Sequence, residues 1–67
     1  MTFGELMRIK REKKELSLQD LANIVNCGKS SLCRYENEQC DPSLSITIKI
    51  MKALGISFDE LKKCTEE

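Results

Sequence analysis

Apolar residues recur every three or four positions along most of the chain, which is the spacing of one face of an α-helix. No run of alternating apolar and polar residues is long enough to predict a β-strand. Breaks in the apolar pattern divide the chain into five segments, so we predict an all-α fold of five short helices. The predicted helices are Thr2–Lys14, Ser17–Val25, Lys29–Asn37, a fourth from Pro42–Ser43 to Leu54, and a fifth that begins at Ser57.

Helix-capping residues support these boundaries. Ser17 followed by Asp20, and Ser57 followed by Glu60, have the spacing of a capping box. In a capping box each side chain bonds to the backbone N–H of the other residue, which satisfies two donors at the helix start. Gly55 stands where the fourth helix would end in a left-handed residue.

The fourth helix contains more apolar residues than one buried face requires. Those assigned to the face that packs into the core are Leu44, Ile48, Met51 and Leu54. Those left over at this end of the chain are Ile46, Ile50, Ile56, Phe58 and Leu61. An apolar surplus of this kind indicates a partner, and a symmetric homodimer is the commonest solution. We predict that Ile56, Phe58 and Leu61 form its interface.

The second and third helices are separated only by Asn26–Gly28, which is too short for anything but a sharp turn. The third helix then begins with small polar and basic residues. Two helices joined in this way describe a helix-turn-helix, whose second helix enters the major groove of DNA. The pattern alone is weak, because many bundle helices carry the same residues on a face that is simply solvated.

Two stretches contain several further motifs in register. They are LSLQDLANIVNCGKSSLCRYEN over Leu16–Asn37 and DPSLSITIKIMKALGISFDEL over Asp41–Leu61. Their order resembles the phage repressor and Cro-type helix-turn-helix regulators, often called the Xre family, over Phe3–Lys62. The resemblance implies a lambda-repressor-like fold and a sequence-specific transcriptional regulator. Such a regulator would bind double-stranded DNA, as a dimer on a palindromic operator, with Lys29–Glu36 in the major groove.

The resemblance also implies roles for individual residues. The positions that correspond to base contacts are Lys29, Ser30 and Arg34, with Gly28 and Cys33 at the margin. The positions that correspond to phosphate contacts are Ser17, Gln19, Ser31 and Asn37. Arg11 and Glu36 correspond to an internal ion pair that links the first helix to the recognition helix, as the DNA-reading helix is called.

The chain departs from this family pattern at several positions. Leu18 replaces a frequent glutamine, and Gln19 points about 100° away from it on the helix. Glu38 stands where a left-handed glycine is common, and Asp41 adds a second acid to a loop that is usually basic. Lys10 stands where an apolar residue is frequent. The acidic loop predicts weaker binding to the phosphate backbone.

Length and charge limit the remaining possibilities. We predict one domain, 1–67, with the helix-turn-helix at about 17–37 and a flexible tail at 63–67. The net charge is zero, but residues 1–34 contain seven Lys or Arg and four Asp or Glu, and residues 35–67 contain four and seven. The molecule can therefore present one basic face. Without a signal peptide or an apolar run that spans a membrane, we expect a cytoplasmic protein with no membrane partner.

The four cysteines have neither metal-site spacing nor histidine beside them. We expect free thiols, with a disulfide or a metal site as the alternatives, and predict no metal, cofactor or small-molecule ligand. A zinc- or redox-dependent enzyme has no supporting set of residues, so we predict a protein without enzymatic activity. The main alternative to a DNA-binding regulator is a protein-interaction module of the same fold, of the antitoxin or anti-repressor type, which the acidic loop favours.

Overall fold

Five α-helices account for most of residues 1–65, the part of the chain that the computed structural model describes. They are α1 (Phe3–Lys13), α2 (Leu18–Val25), α3 (Lys29–Glu36), α4 (Leu44–Leu54) and α5 (Phe58–Thr65). No strand occurs in this part, and the all-α prediction is confirmed. Within residues 1–65 no helix has both the length and the hydropathy needed to cross a membrane.

The end of α5 differs from the sequence prediction. Lys63, Cys64 and Thr65 belong to the helix, although they fall in the segment that we predicted to be a tail. The last two residues of that predicted tail, 66–67, lie outside the described residues.

Both predicted capping boxes are present. The Asp20 backbone N–H donates to Ser17 Oγ at 3.0 Å, and the Ser17 N–H donates to Asp20 Oδ2 at 3.0 Å. The corresponding distances between Ser57 and Glu60 are 3.2 and 3.3 Å. The hydrogen bond that the Asp20 carboxylate accepts from the Ser17 backbone N–H lowers the pKa of that carboxyl. A third capping box, between Thr2 and Glu5, begins α1.

The first four helices end in the same way, with one residue in the left-handed region. The left-handed residues are Glu15, Asn26, Glu38 and Gly55, with φ between 55° and 70°. The N–H of the next residue then bonds to the C=O five positions back, at 2.9–3.1 Å, in the pairs Leu16 to Arg11, Cys27 to Ala22, Gln39 to Arg34 and Ile56 to Met51. Only Gly55 adopts this conformation without a Cβ penalty, so Glu15 and Glu38 each cost about 1 kcal/mol relative to glycine.

Helix α1 occupies the centre of the fold, where it packs against α3, α4 and α5, while α2 packs against α3 and α4. The buried core residues are Leu6, Met7, Leu21, Ala22, Val25, Leu32, Ile50, Met51, Leu54 and Ile56. Lys10, at a position that we noted as unusual, lies at the contact of α1 with α5, where its Nζ is 2.9 Å from Glu60 Oε2. The hydrogen bond from Lys10 lowers the pKa of the Glu60 carboxyl.

The predicted buried face of α4 is wrong in its first half. Leu44 is 76% exposed and Ile48 is also exposed, whereas Ile50 is fully buried and Ile46 packs against the core. Positions 46, 50 and 54 and positions 44, 48 and 51 are both spaced three or four residues apart, so periodicity could not distinguish the two faces. The contacts of α4 with α1 and α2 decide which face is buried.

Ile56 is likewise a core residue and not part of an apolar surplus. It is 6% exposed, because the turn at Gly55 brings it back under α4, where its N–H bonds to the Met51 C=O at 2.9 Å. The prediction that Ile56 contributes to a dimer interface is therefore corrected, since a residue buried within one protomer offers little area to another.

Gly4 lets α1 approach the end of α3 very closely. A Cβ at this position would lie 2.6 Å from the Tyr35 carbonyl oxygen and 2.8 Å from the Glu36 carbonyl oxygen. Both atoms belong to the backbone, so no side-chain rotation could relieve the contact. The glycine therefore fixes how α3 is held against α1.

Candidate nucleic-acid interface

Helices α2 and α3 are joined by a turn of three residues. Asn26 ends α2 in the left-handed conformation, and Gly28, with φ −72° and ψ 143°, is the N-cap of α3. The side chains of Leu21 and Leu32, one from each helix, are fully buried. The turn and these core contacts hold α3 as a rigid element, with its opposite side in solvent.

The outer face of α3 contains the predicted base-contact residues. Ser30, Arg34 and Asn37, at positions i, i+4 and i+7, lie on this face, and all three are exposed. Lys29 is exposed beside them, while Cys33 is partly buried. The structure thus brings a guanidinium, an ammonium, a hydroxyl and an amide onto one side of a helix, which are groups that donate to base edges and phosphates.

The start of α2 presents the predicted phosphate-contact residues. Ser17 is exposed at the N-cap, and the Gln19 side chain is exposed with its Nε2 donating to Asn23 Oδ1 at 3.1 Å. Leu18 is partly buried against the core. Ser31, on α3, is partly buried at the edge of the outer face.

Beneath α3 lies the ion pair that the resemblance implied. Arg11 Nε is 2.7 Å from Glu36 Oε2, and Arg11 Nη2 donates to Glu36 Oε1 at 3.2 Å. The Glu36 side chain is 2% exposed, and its hydrogen bond raises the pKa of Arg11. Arg11 also donates through Nη1 to the Leu16 carbonyl oxygen at 2.7 Å, which ties the α1–α2 turn to the same guanidinium. Glu36 therefore faces inward and does not repel DNA as an exposed acid would.

A second arginine at this site was missed in the sequence analysis. Arg8 Nε lies 3.3 Å from Glu36 Oε1, and Arg8 Nη2 donates to Asn37 Oδ1 at 2.8 Å. Asn37 in turn donates through Nδ2 to Cys33 Sγ at 3.3 Å. Arg8 precedes Arg11 by three residues and so lies on the same face of α1, a spacing from which its reach to Glu36 could have been predicted.

Residues 7–61 match the sequence profile of a protein family described as "Helix-turn-helix". This match covers most of the chain and includes both helices of the turn described above. The chain belongs to the helix-turn-helix family. No solved structure matches it significantly.

Archaeal proteins are among the relatives of this helix-turn-helix chain. One from Methanococcus maripaludis, named "Putative HTH-type transcriptional regulatory protein", is 30% identical over 53 residues, which are 79% of this chain and 16% of the relative. A protein of the same description from Methanosarcina acetivorans is 28% identical over 65 residues, 91% of this chain and 20% of the relative. The chain thus spans a fifth or less of the length of these curated relatives.

The loop that follows α3 is the acidic part of the helix-turn-helix surface. Glu38 and Asp41 are exposed, as are Gln39 and Cys40 between them. Glu38 adopts the left-handed conformation, with φ 60°, that we expected at a position where the family commonly has glycine. The two carboxylates lie in the loop directly after Asn37, so repulsion from phosphate would act at the C-terminal end of α3.

An apolar surface lies on α4 and the start of α5. Leu44 is 76% and Phe58 77% exposed, and Ile48 is exposed between them in sequence. A shallow groove of about 320 Å³ is lined by Ile48, Met51, Lys52, Ile56, Ser57 and Phe58. Leu61, the remaining residue of the predicted dimer interface, is partly buried against the core. We call Leu44, Ile48 and Phe58 the apolar patch.

The cysteines are all free thiols, as expected. Burial raises the pKa of the Cys27 thiol, which packs against the core. Within residues 1–65 no three histidine, cysteine or acidic side chains are grouped so that they could hold a metal ion.

Proposed function

We propose that this helix-turn-helix chain binds double-stranded DNA sequence-specifically and regulates transcription by occupying an operator. The observation that supports it most strongly is the exposed polar face of α3. Ser30 and Arg34 lie in solvent on this face, and Lys29 is exposed at the start of the helix, while Leu32 and Glu36 are buried in the protein. A helix supported in this way is suited to enter a major groove, and Arg34 is suited to a bidentate contact with guanine.

The phosphate contacts in this proposal come from Ser17, Gln19, Ser31 and Asn37, on either side of the groove that α3 would enter. The acidic loop reduces the non-specific attraction to DNA, so base contacts would contribute a larger share of the affinity. No enzymatic step is part of the proposal, and a cytoplasmic location stays a prediction.

Substitution of Arg34 by alanine tests the base contact. We expect R34A to lose discrimination between the preferred operator and unrelated DNA by about 5- to 150-fold, which corresponds to 1–3 kcal/mol. The operator would be selected from a random DNA pool and inspected for palindromy. Affinities would then be measured by fluorescence anisotropy over a range of salt concentrations, since a DNA-binding protein loses affinity steeply as salt rises.

The matched control is Lys63→Ala, which removes one positive charge from the exposed surface of α5. K63A should keep the operator preference of the parent. Unchanged discrimination in R34A would contradict the base contact, and anisotropy that does not respond to salt at micromolar protein would contradict DNA binding itself.

A protein-interaction module is the second candidate function, and the exposed acids Glu38 and Asp41 favour it. Such a module would use the same fold with little DNA binding of its own. The anisotropy experiment separates the two functions, because only the regulator shows salt-dependent binding to DNA.

We further propose that the chain acts as a homodimer through the apolar patch. The exposure of Leu44 and Phe58 supports this, because burying apolar side chains of this size against a partner makes the free energy of association more favourable. A symmetric dimer would place two recognition helices on successive major grooves, about 34 Å apart. The palindromic operator predicted above would follow from that symmetry.

Phe58→Ser is expected to shift the free protein from dimer to monomer, because it removes the aromatic side chain of the apolar patch. Sedimentation velocity over a concentration series would measure the change. Ile24→Ser is the matched control, since Ile24 is an exposed apolar residue on α2, outside the patch. Equal self-association in the parent and F58S would contradict the proposed interface.

A further inference from the structure

We propose that Arg8 is a positioning residue of the DNA interface, which orients the Asn37 side-chain amide so that one N–H donor of the amide faces outward. The inference rests on the proposed function, because its ligand is a phosphate oxygen of DNA. It assigns a role to a helix outside the helix-turn-helix unit, since Arg8 belongs to α1 and Asn37 is the C-cap of α3.

Arg8 decides which end of the Asn37 amide faces the protein. Its Nη2 is 2.8 Å from Asn37 Oδ1, and a guanidinium can only donate, so the atom it meets must be the amide oxygen and not the nitrogen. The amide nitrogen is thereby turned away from Arg8. The amide nitrogen donates one hydrogen to Cys33 Sγ, which is 3.3 Å from it. Because Asn37 is exposed, the second hydrogen can be donated to a ligand in solvent.

Glu36 holds Arg8 in place for this task. Arg8 Nε lies 3.3 Å from the buried Glu36 carboxylate, which Arg11 also contacts from the other side. The planar guanidinium thus joins two neighbouring acceptors, Glu36 through Nε and Asn37 through Nη2, with one rigid group. A side chain without that planar fork cannot hold both acceptors in the same geometry.

The orientation matters because a phosphate oxygen is only an acceptor. An outward N–H of Asn37 bonds to it, whereas an outward Oδ1 would repel it. Without Arg8 the amide is free to turn over, and the donor is presented for only part of the time. Arg8 therefore acts on DNA affinity through Asn37 and not through its own charge.

A double-mutant cycle in DNA binding tests this inference, with Arg8→Met, Arg8→Lys, Asn37→Ala and the two double variants. We expect N37A to weaken operator binding by about tenfold, the effect of one hydrogen bond to a charged group. R8M and R8K should weaken it by about two- to tenfold, because the amide still presents its donor for part of the time. Each double variant should bind no more weakly than N37A alone, because Arg8 has nothing to position once the amide is gone. R8K is the decisive variant, since it keeps the charge and loses the fork.

The slope of affinity against salt distinguishes positioning from direct contact. If Arg8 itself neutralised a phosphate, R8M would lower the slope of affinity against salt by about one unit. Lysine at this position would then restore the affinity, because it carries the same charge. The inference would be overturned by full affinity in R8K, by a slope reduced by one unit in R8M, or by single-variant losses that multiply in the double variants. Circular dichroism of every variant ensures that only folded protein is compared.

The outcome for the parent separates this inference from the function on which it rests. Salt-independent anisotropy of the parent overturns DNA binding, and with it the ligand assigned to Asn37. If the parent binds DNA and both R8K and R8M bind it as tightly as the parent, only the role of Arg8 is overturned.

Discussion

The Gly4→Ala variant should lose much of its stability, although alanine is the better helix former. The added Cβ would lie 2.6 and 2.8 Å from two backbone carbonyl oxygens at the end of α3, far inside van der Waals contact. Since neither oxygen can rotate away, α1 and α3 must separate, and the packing of Leu6 and Met7 is disturbed with them. We expect a net loss of about 2–3 kcal/mol, after a gain in helix propensity of at most about 1 kcal/mol.

A loss of this size is large for a domain of 67 residues, whose total stability is roughly 3–10 kcal/mol. Urea unfolding followed by circular dichroism would measure it as a lower midpoint with an unchanged slope. Gly28→Ala makes the same chemical change where there is room, because the nearest atom to its Cβ would be Ser31 Oγ at 3.7 Å. G28A should cost less than about 1 kcal/mol. A G4A protein as stable as G28A would show that the two helices are not held by this contact.

Gly4 was not recognised from the sequence, although a signal was available. A glycine inside a predicted helix is unfavourable on its own, so its presence indicates a neighbour that excludes a side chain. The pattern cannot say which neighbour, because the Tyr35 and Glu36 carbonyls lie more than thirty positions away in the chain. Close approach of two helices is a tertiary property.

Local features were predicted best. The capping boxes at Ser17 and Ser57 and the left-handed Gly55 depend on residues within three or four positions of one another, and all are present. The left-handed Glu15 was not anticipated, because glutamate carries no preference for that conformation. In α4, by contrast, both possible faces satisfy the helical period, and the contacts with α1 and α2 decide in favour of Ile46 and Ile50.

In the candidate site, too, the contacts between distant parts of the chain could not be predicted from local spacing. The Arg11–Glu36 pair was implied by a resemblance to a known family, not by spacing, since 25 positions separate the two residues. Lys29, Ser30 and Arg34 were likewise assigned from the resemblance, and the structure leaves all three exposed, with Leu32 in the core. What was missed is the second layer of contacts, in which Arg8 joins Glu36 to Asn37.

Arg11→Met should be the other strongly destabilising substitution. It leaves the Glu36 carboxylate, 2% exposed, with Arg8 as its remaining cation, and the Arg8 Nε is farther away, at 3.3 Å compared with 2.7 Å. It also removes the donor to the Leu16 carbonyl oxygen. Removing one partner of a buried ion pair costs about 3–5 kcal/mol, and we expect the lower end of that range because Arg8 still compensates part of the charge.

The double variant Arg11→Met, Glu36→Leu should recover much of this loss. The cost in R11M comes mainly from a carboxylate that is buried without its best partner, and leucine in place of Glu36 removes that carboxylate and adds apolar contacts. Arg8 then keeps its bond to Asn37 and is 48% exposed, so water can solvate its remaining donors. Urea unfolding of the parent, both single variants and the double variant gives the coupling energy directly. Losses that simply add would contradict this account, because they would mean that Arg11 and Glu36 stabilise the fold through separate contacts and not through each other.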